Sequence, residues 1–184
     1  YQFDFYDGGG LDLAFLSFAQ VDADGSVNVS RFGERVIGIG GFQNIAQNAK
    51  KMIFSGTFTA GGLEIEWVNG QTHIRREGRY PKFVAQLGQV SYNGRYAAQQ
   101  SQEALYITER AVFQRDAEGL VLTEVAPGID LKSDVLAHME FHPQVSPDLK
   151  IMDARLFRPD LMGYASELAL KPRLNIPKRL RNLE

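Results

Sequence analysis

The chemistry this sequence could carry begins at Gly38-Ile39-Gly40-Gly41, a glycine-rich turn between a run of β-type residues and a helical stretch opening near Asn44. Such a loop exposes backbone N–H groups beside a helix N-terminus, where an anion or a developing oxyanion is stabilised. Glycines serve tight turns and close packing as well, so the pattern alone leaves a structural reading beside the chemical one. Gly8-Gly9-Gly10 divides in the same way, between a backbone nest for a phosphate or carboxylate and a flexible turn into the next strand. Lys50 and Lys51, just beyond the helix, read either as anion ligands or as solvated lysines at an element end. Glu109, between Thr108 and Arg110, sits between two expected strands and reads as a structural ion-pairing or hydrogen-bonding carboxylate in preference to a nucleophile. Glu64 and Glu66 share one face of an expected hairpin strand and read as solvated surface. His138 and His142 have the i,i+4 spacing of a helical metal pair, but Pro143 and the lack of a third ligand favour a helix end, so no metal is expected. His73 has no partner in sequence.

These residues need elements to hold them. Leu11 to Val21 is a compact apolar run that suits a strand buried on both faces of an α/β sheet. Val27 and Val29 alternate with polar residues in a second extended segment. After the glycine turn, Ile45 to Ala49 fits a short helix and Lys50 to Gly56 a return to strand. Strand, loop, helix, strand is the unit of a parallel α/β sheet, whose ligands gather beyond the carboxyl ends of the strands. Alternation from Leu63 to Val68, then Asn69-Gly70, predicts a hairpin with its return strand through His73 to Arg75. Further strands are expected at 104–108, 111–114 and 120–125, and a helix over 131–139 opened by Asp130. Phe3, Phe5, Tyr6, Phe15 and Phe18 read as core. Beyond Phe157 the signals fade, and Lys171, Arg173, Lys178, Arg179 and Arg181 form a basic tail expected to be extended or loosely docked.

Composition narrows the classes. The chain has 184 residues with 44% apolar content, enough for one domain with a sizeable core. Its 20 Lys+Arg against 22 Asp+Glu provide no broad positive field, so no nucleic-acid partner is expected. With no cysteine there is no disulfide framework, thiolate nucleophile or Cys-ligated zinc, which is compatible with a reducing cytoplasm. No apolar run approaches the roughly 18 residues of a membrane span. The first residues have neither an initiator Met nor a signal-peptide pattern, so the chain reads as a fragment of something longer.

Gly8 to Asp22, Gly25-Ser26-Val27-Asn28-Val29-Ser30, the glycine turn, Thr108-Glu109-Arg110-Ala111-Val112-Phe113 and Ala126-Pro127-Gly128-Ile129-Asp130 stand in an order that resembles the C-terminal, β-subunit-like half of the family I CoA-transferases. The likeness is to the single-chain, short-chain branch, acting on acids such as acetate or propionate, and runs from Tyr1 to about Phe157, leaving 158–184 as the tail. It implies an α/β fold with a three-layer, open, mostly parallel sheet, flanking helices and a β-hairpin excursion. It also implies transfer of coenzyme A between carboxylic acids, with CoA as substrate and no permanently bound cofactor. In that family a glutamate attacks the acyl-CoA thioester, and a glutamyl-CoA thioester then passes CoA to the acceptor acid. Gly40 and Gly41 match the family's oxyanion loop. Gly38, Gly8, Gly9, Gly10, Lys50 and Lys51 become candidate CoA contacts, and an aromatic ring could line a pantetheine channel. The family's Glu-plus-glycine nucleophile motif does not occur here and is expected upstream of Tyr1, so the isolated chain is expected to be inactive. Implied partners are acyl-CoA, short-chain carboxylates and the N-terminal part of the enzyme or a companion subunit, in a cytoplasmic homo-oligomer. A CoA-ester hydrolase on the same framework, or a non-catalytic assembly or ligand-sensing module, remains an alternative.

Overall fold

A computed structural model of the chain describes residues 1–170. Helix α1 (Gln2–Asp7) leads into strand β1 (Leu13–Ser17), and two minimal hairpins follow, β2 (Gln20–Val21) with β3 (Val27–Asn28) and β4 (Arg31–Phe32) with β5 (Arg35–Val36). Helix α2 (Phe42–Asn48) and β6 (Lys51–Ser55) come next. A second excursion comprises β7 (Thr59–Ala60), the hairpin β8 (Glu64–Val68) and β9 (Gln71–Arg76), and β10 (Tyr80–Pro81), which pairs back onto β7. Then α3 (Gly94–Gln99) returns the chain to β11 (Glu103–Ile107), β12 (Ala111–Arg115), β13 (Leu120–Val125), β14 (Gln144–Ile151) and α4 (Tyr164–Leu170).

The central sheet has the order β1-β6-β11-β12-β13-β14. β6 pairs in parallel with both β1 and β11, and β13 with β14, while β12 is antiparallel to both its neighbours. The sheet is therefore mixed, and its parallel character is strongest where the strand, loop, helix, strand reading placed it. Short connections, Thr108 to Arg110 and Asp116 to Gly119, suffice to reverse the chain into antiparallel neighbours, where a parallel crossover would need a dozen or more residues.

Local chemistry explains several boundaries. The α2 carboxyl end is closed by buried Gln102, whose Nε2 donates to Ala46 O at 2.8 Å and also to Ala49 O. Asn93 caps α3 by accepting from Tyr96 N at 3.0 Å. Asn69 and Gly70 both take positive φ, 54° and 79°, as a tight two-residue hairpin between β8 and β9 requires. The expected helix over 131–139 is instead one π-helical turn, Leu131–Val135, and one 3-10 turn, Leu136–His138. Asp130 does open it, accepting from Lys132 N and Ser133 N.

The apolar run 11–21 is not one strand buried on both faces. It breaks after Ser17, and β1 is the sheet edge, with Phe15 66% exposed and Leu13 exposed beside it. Phe3 and Phe5 are likewise exposed on α1. The aromatic core instead joins Phe18, Phe54, Phe58, Phe83, Tyr92, Tyr106 and Phe113, with ring centroids 4.6 Å apart for Phe58–Phe83 and 4.9 Å for Phe83–Phe113. After Phe157 the chain is not simply extended: α4 occupies 164–170, and Arg155 bonds to Met162 O and Glu167. The tail residues Lys171, Arg173, Lys178, Arg179 and Arg181 lie outside the described residues. No described helix is long and apolar enough to cross a membrane.

Candidate functional site

Strands β1, β6 and β11 end together at Ser17, Ser55 and Ile107. Beyond these carboxyl ends, where ligands of open α/β sheets bind, lies a cavity of about 870 Å³. Phe18 and Gln20 line it after β1, Arg31, Phe32, Arg35 and Ile37 from the β4–β5 hairpin, and Tyr80, Pro81, Lys82 and Val84 from the second excursion, with Glu140 at its edge. The glycine turn follows Ile37 directly. Gly38 and Gly40 take φ of 93° and 52°, and a Cβ at either would meet no atom within 4 Å. Their need for glycine is thus conformational. Gly41 differs: it has no positive φ, it is the N-cap of α2, and a Cβ there would stand 3.4 Å from the Phe3 ring. Among the described residues the Gly40 and Gly41 N–H groups have no hydrogen-bond acceptor.

Beside the cavity lies a buried ionic cluster. The Arg110 side chain is 0% exposed and forks onto Glu77, Nη1 to Oε2 at 2.7 Å and Nη2 to Oε1 at 3.0 Å. Its Nε meets Glu109 Oε1 at 2.7 Å, and Nη1 also donates to Asp134 O at 2.9 Å. The guanidinium lies 4.9 Å from the Phe58 ring centroid. Glu109 accepts a second bond, from Phe58 N at 2.8 Å, and so occupies the structural ion-pairing position its sequence context suggested. Burial pushes the Glu77 carboxyl up, but hydrogen bonds from Arg110 and Thr59 and the Arg110 charge hold it below its ordinary value. His138 Nε2 stands 3.5 Å from Glu77; His142 and His73 are exposed. Among the described residues no group of three His, Cys, Asp or Glu side chains could hold a metal ion.

The other candidates lie elsewhere. Lys51 begins β6, at the end opposite the cavity, and pairs with Glu103 at 2.7 Å. Lys50 pairs with Asp12 just before β1, and Gly9 approaches Asn48 O at the far end of α2. The structure therefore brings Gly38, Gly40 and Gly41 together at the carboxyl ends and leaves Gly8, Gly9, Gly10, Lys50 and Lys51 at the amino ends. Glu64 and Glu66 pair with Arg76 and Arg75 on the exposed hairpin. Sequence reasoning missed Lys82. Its signal was present, a single cation within Tyr80-Pro81-Lys82-Phe83-Val84, an otherwise apolar run.

No protein-family profile matches the chain. It is 48% identical over 163 residues to acetate CoA-transferase YdiF of Escherichia coli K12, covering 89% of this chain and 31% of that protein. It is 47% identical over 160 residues to caffeate CoA-transferase of Acetobacterium woodii, covering 84% of this chain and 30% of that protein. A crystal structure of the acyl-CoA transferase YdiF from E. coli O157:H7, a thioester complex with CoA, superposes with a TM-score of 0.86 at 49% identity, over 88% of this chain and 32% of that one. The chain thus spans about a third of the length of the relatives it matches.

Proposed function

With a chain that corresponds in sequence and fold to a segment of the family I CoA-transferases as the premise, we propose that it forms part of an enzyme moving CoA between short-chain carboxylic acids. The observation that carries this reading is the pair of N–H groups at Gly40 and Gly41, without an acceptor among the described residues, in the turn that follows Ile37, a lining residue of the cavity at the strand carboxyl ends. When a carboxylate adds to an acyl-CoA thioester, negative charge develops on the former carbonyl oxygen. Fixed backbone donors stabilise that charge without reorganising during the reaction. The C–S bond then breaks, and the CoA thiolate attacks the carboxylate-derived carbonyl of the resulting anhydride. This releases the first acid and leaves a glutamyl-CoA thioester for the acceptor acid to attack.

The nucleophilic glutamate is proposed to come from polypeptide outside this chain. Glu109 is poorly suited to the role, because one oxygen is held by Arg110 and the other by Phe58 N–H. Gly38 is proposed to sit against CoA beside the oxyanion loop. Any CoA contact at Lys50 or Lys51 must compete with Asp12 and Glu103, so the role proposed for these lysines and for Gly8 to Gly10 is confined to the far end of an extended ligand.

The test joins this segment to the remainder of a CoA-transferase polypeptide and traps the intermediate. The joined protein is expected to exchange CoA between acetyl-CoA and propionate, and the chain alone to show no exchange. Borohydride, which reduces a glutamyl thioester but not a free carboxylate, should mark a glutamate outside residues 1–184 on peptide mapping. A label on Glu109 or Glu140 would place the nucleophile inside this chain and overturn the assignment. Hydrolysis of acetyl-CoA without exchange would identify the hydrolase instead.

A further inference from the structure

Lys82 is 7% exposed, and its ammonium stands 4.1 Å from the Phe18 ring centroid. Among the described residues its ammonium makes no hydrogen bond and no salt bridge, although Lys82 lines the cavity beyond β1 and β6. Gly56, the first residue after β6, leaves room for it: a Cβ there would lie 2.8 Å from Nζ. A buried cation with no direct salt bridge or hydrogen bond is unfavourable and is retained where something else compensates it. Burial lowers the Lys82 pKa to about 8, against the opposing charge of Glu109. At neutral pH the group is still mainly the ammonium, directed at a cavity with an aromatic floor.

Among the described residues no group at the rim forms a salt bridge with the ammonium. Arg31 and Arg35 add positive charge, and Glu140 is engaged by Ala85 N at 3.1 Å. We infer that the cavity is a carboxylate-binding site in which the Lys82 ammonium pairs with the carboxylate of a short-chain acid whose alkyl group lies against Phe18, Ile37 and Val84. The choice of a carboxylic acid as ligand rests on the CoA-transfer reading. The pairing itself is a property of the cavity and is testable without transfer activity. A single buried ammonium over an aromatic ring, with apolar side chains beside it, suits an amphipathic monoanion better than a strongly hydrated phosphate.

Sodium propionate is titrated into the 184-residue chain and followed by ligand-observed NMR at pH 7 and pH 9. Binding should weaken by about tenfold at pH 9, because only the protonated amine pairs with the carboxylate. Glu140, Arg31, Arg35 and Tyr80 also line this space, and the charge of Glu109 acts on Lys82, so the pH effect is assigned with variants. Lys82→Arg should bind at both pH values without the drop, and Lys82→Met should bind at least tenfold more weakly at pH 7. Gly56→Ala, which displaces the ammonium without removing it, should weaken binding in a protein that still folds. Thermal unfolding of Lys82→Met at or above the parent temperature is expected, since a buried unpaired charge has been removed. Were Lys82→Met not to fold, the Lys82→Arg pH profile would decide the matter alone.

No propionate binding at pH 7, equal binding by parent and Lys82→Met, or a parent affinity unchanged at pH 9 would each overturn the inference. Inorganic phosphate binding more tightly than propionate would assign the site to a phosphate group and also overturn it. Propionate binding by a joined enzyme that fails to exchange CoA would sink the proposed function and leave this site standing. CoA exchange unaffected by Lys82→Met, with no propionate bound, would do the reverse.

Discussion

The two ends of β6 use the same residue types to different ends. At its amino end Lys50 and Lys51 stand in water beside Asp12 and Glu103. Near its carboxyl end Arg110 is buried in salt bridges to two carboxylates, and Lys82 is buried with no salt bridge among the described residues, only the more distant charge of Glu109. Exposed pairs contribute about 0–1 kcal/mol, because water screens them and holding long side chains costs entropy. Buried charges cannot be left to solvent, so each needs an internal partner or a ligand. The described residues complete this requirement for Arg110 and meet it only in part for Lys82, through the charge of Glu109, and that difference separates framework from the proposed binding site at one end of one sheet.

The hardest way to break the comparison is at Arg110. Arg110→Met leaves Glu77 and Glu109 without their shared cation and should destabilise the fold by about 3–5 kcal/mol in denaturant unfolding. A loss below about 1 kcal/mol would mean the cluster behaves like the exposed pairs. Next is the glycine turn, which neither end's ionic rules govern. In the joined polypeptide, Gly40→Val should lower kcat on the order of 100-fold, the cost of one oxyanion donor. Gly40→Asn tolerates the left-handed conformation and should retain more activity; equal losses would point to bulk over the N–H groups rather than to backbone conformation. The smallest effect belongs to the amino end. Lys50→Ala and Lys51→Ala should each shift stability by no more than about 1 kcal/mol, and less at high salt. A larger change would show that exposure alone does not distinguish the two ends.

Much of the fold was legible because it follows local rules. Asn69-Gly70 specifies its hairpin through two residues able to take positive φ, and the strand, loop, helix, strand order around Gly38 to Gly41 follows from punctuation and periodicity. Asp130 marked a helical start correctly but not its type: the turn that follows is a π turn, with Val135 buried in the core. The aromatic reading erred at Phe3, Phe5 and Phe15, because which face of β1 is covered depends on segments far away in the chain.

The sequence by itself determined the family resemblance, the glycine turn and the structural reading of Glu109, each a matter of residue type and short-range order. Only the tertiary structure decided which cations are compensated. Arg110 meets Glu77 across 33 residues of sequence, and Glu109 meets Phe58 across 51. Lys82 is buried because Phe18 and Gly56, from the ends of two other strands, close around it. The free energy of a charge depends on the dielectric and the counter-ions that surround it. Those are fixed by distant segments meeting in space, so a lysine in an apolar run and a lysine pair at an element end exchanged the importance their sequence contexts had given them.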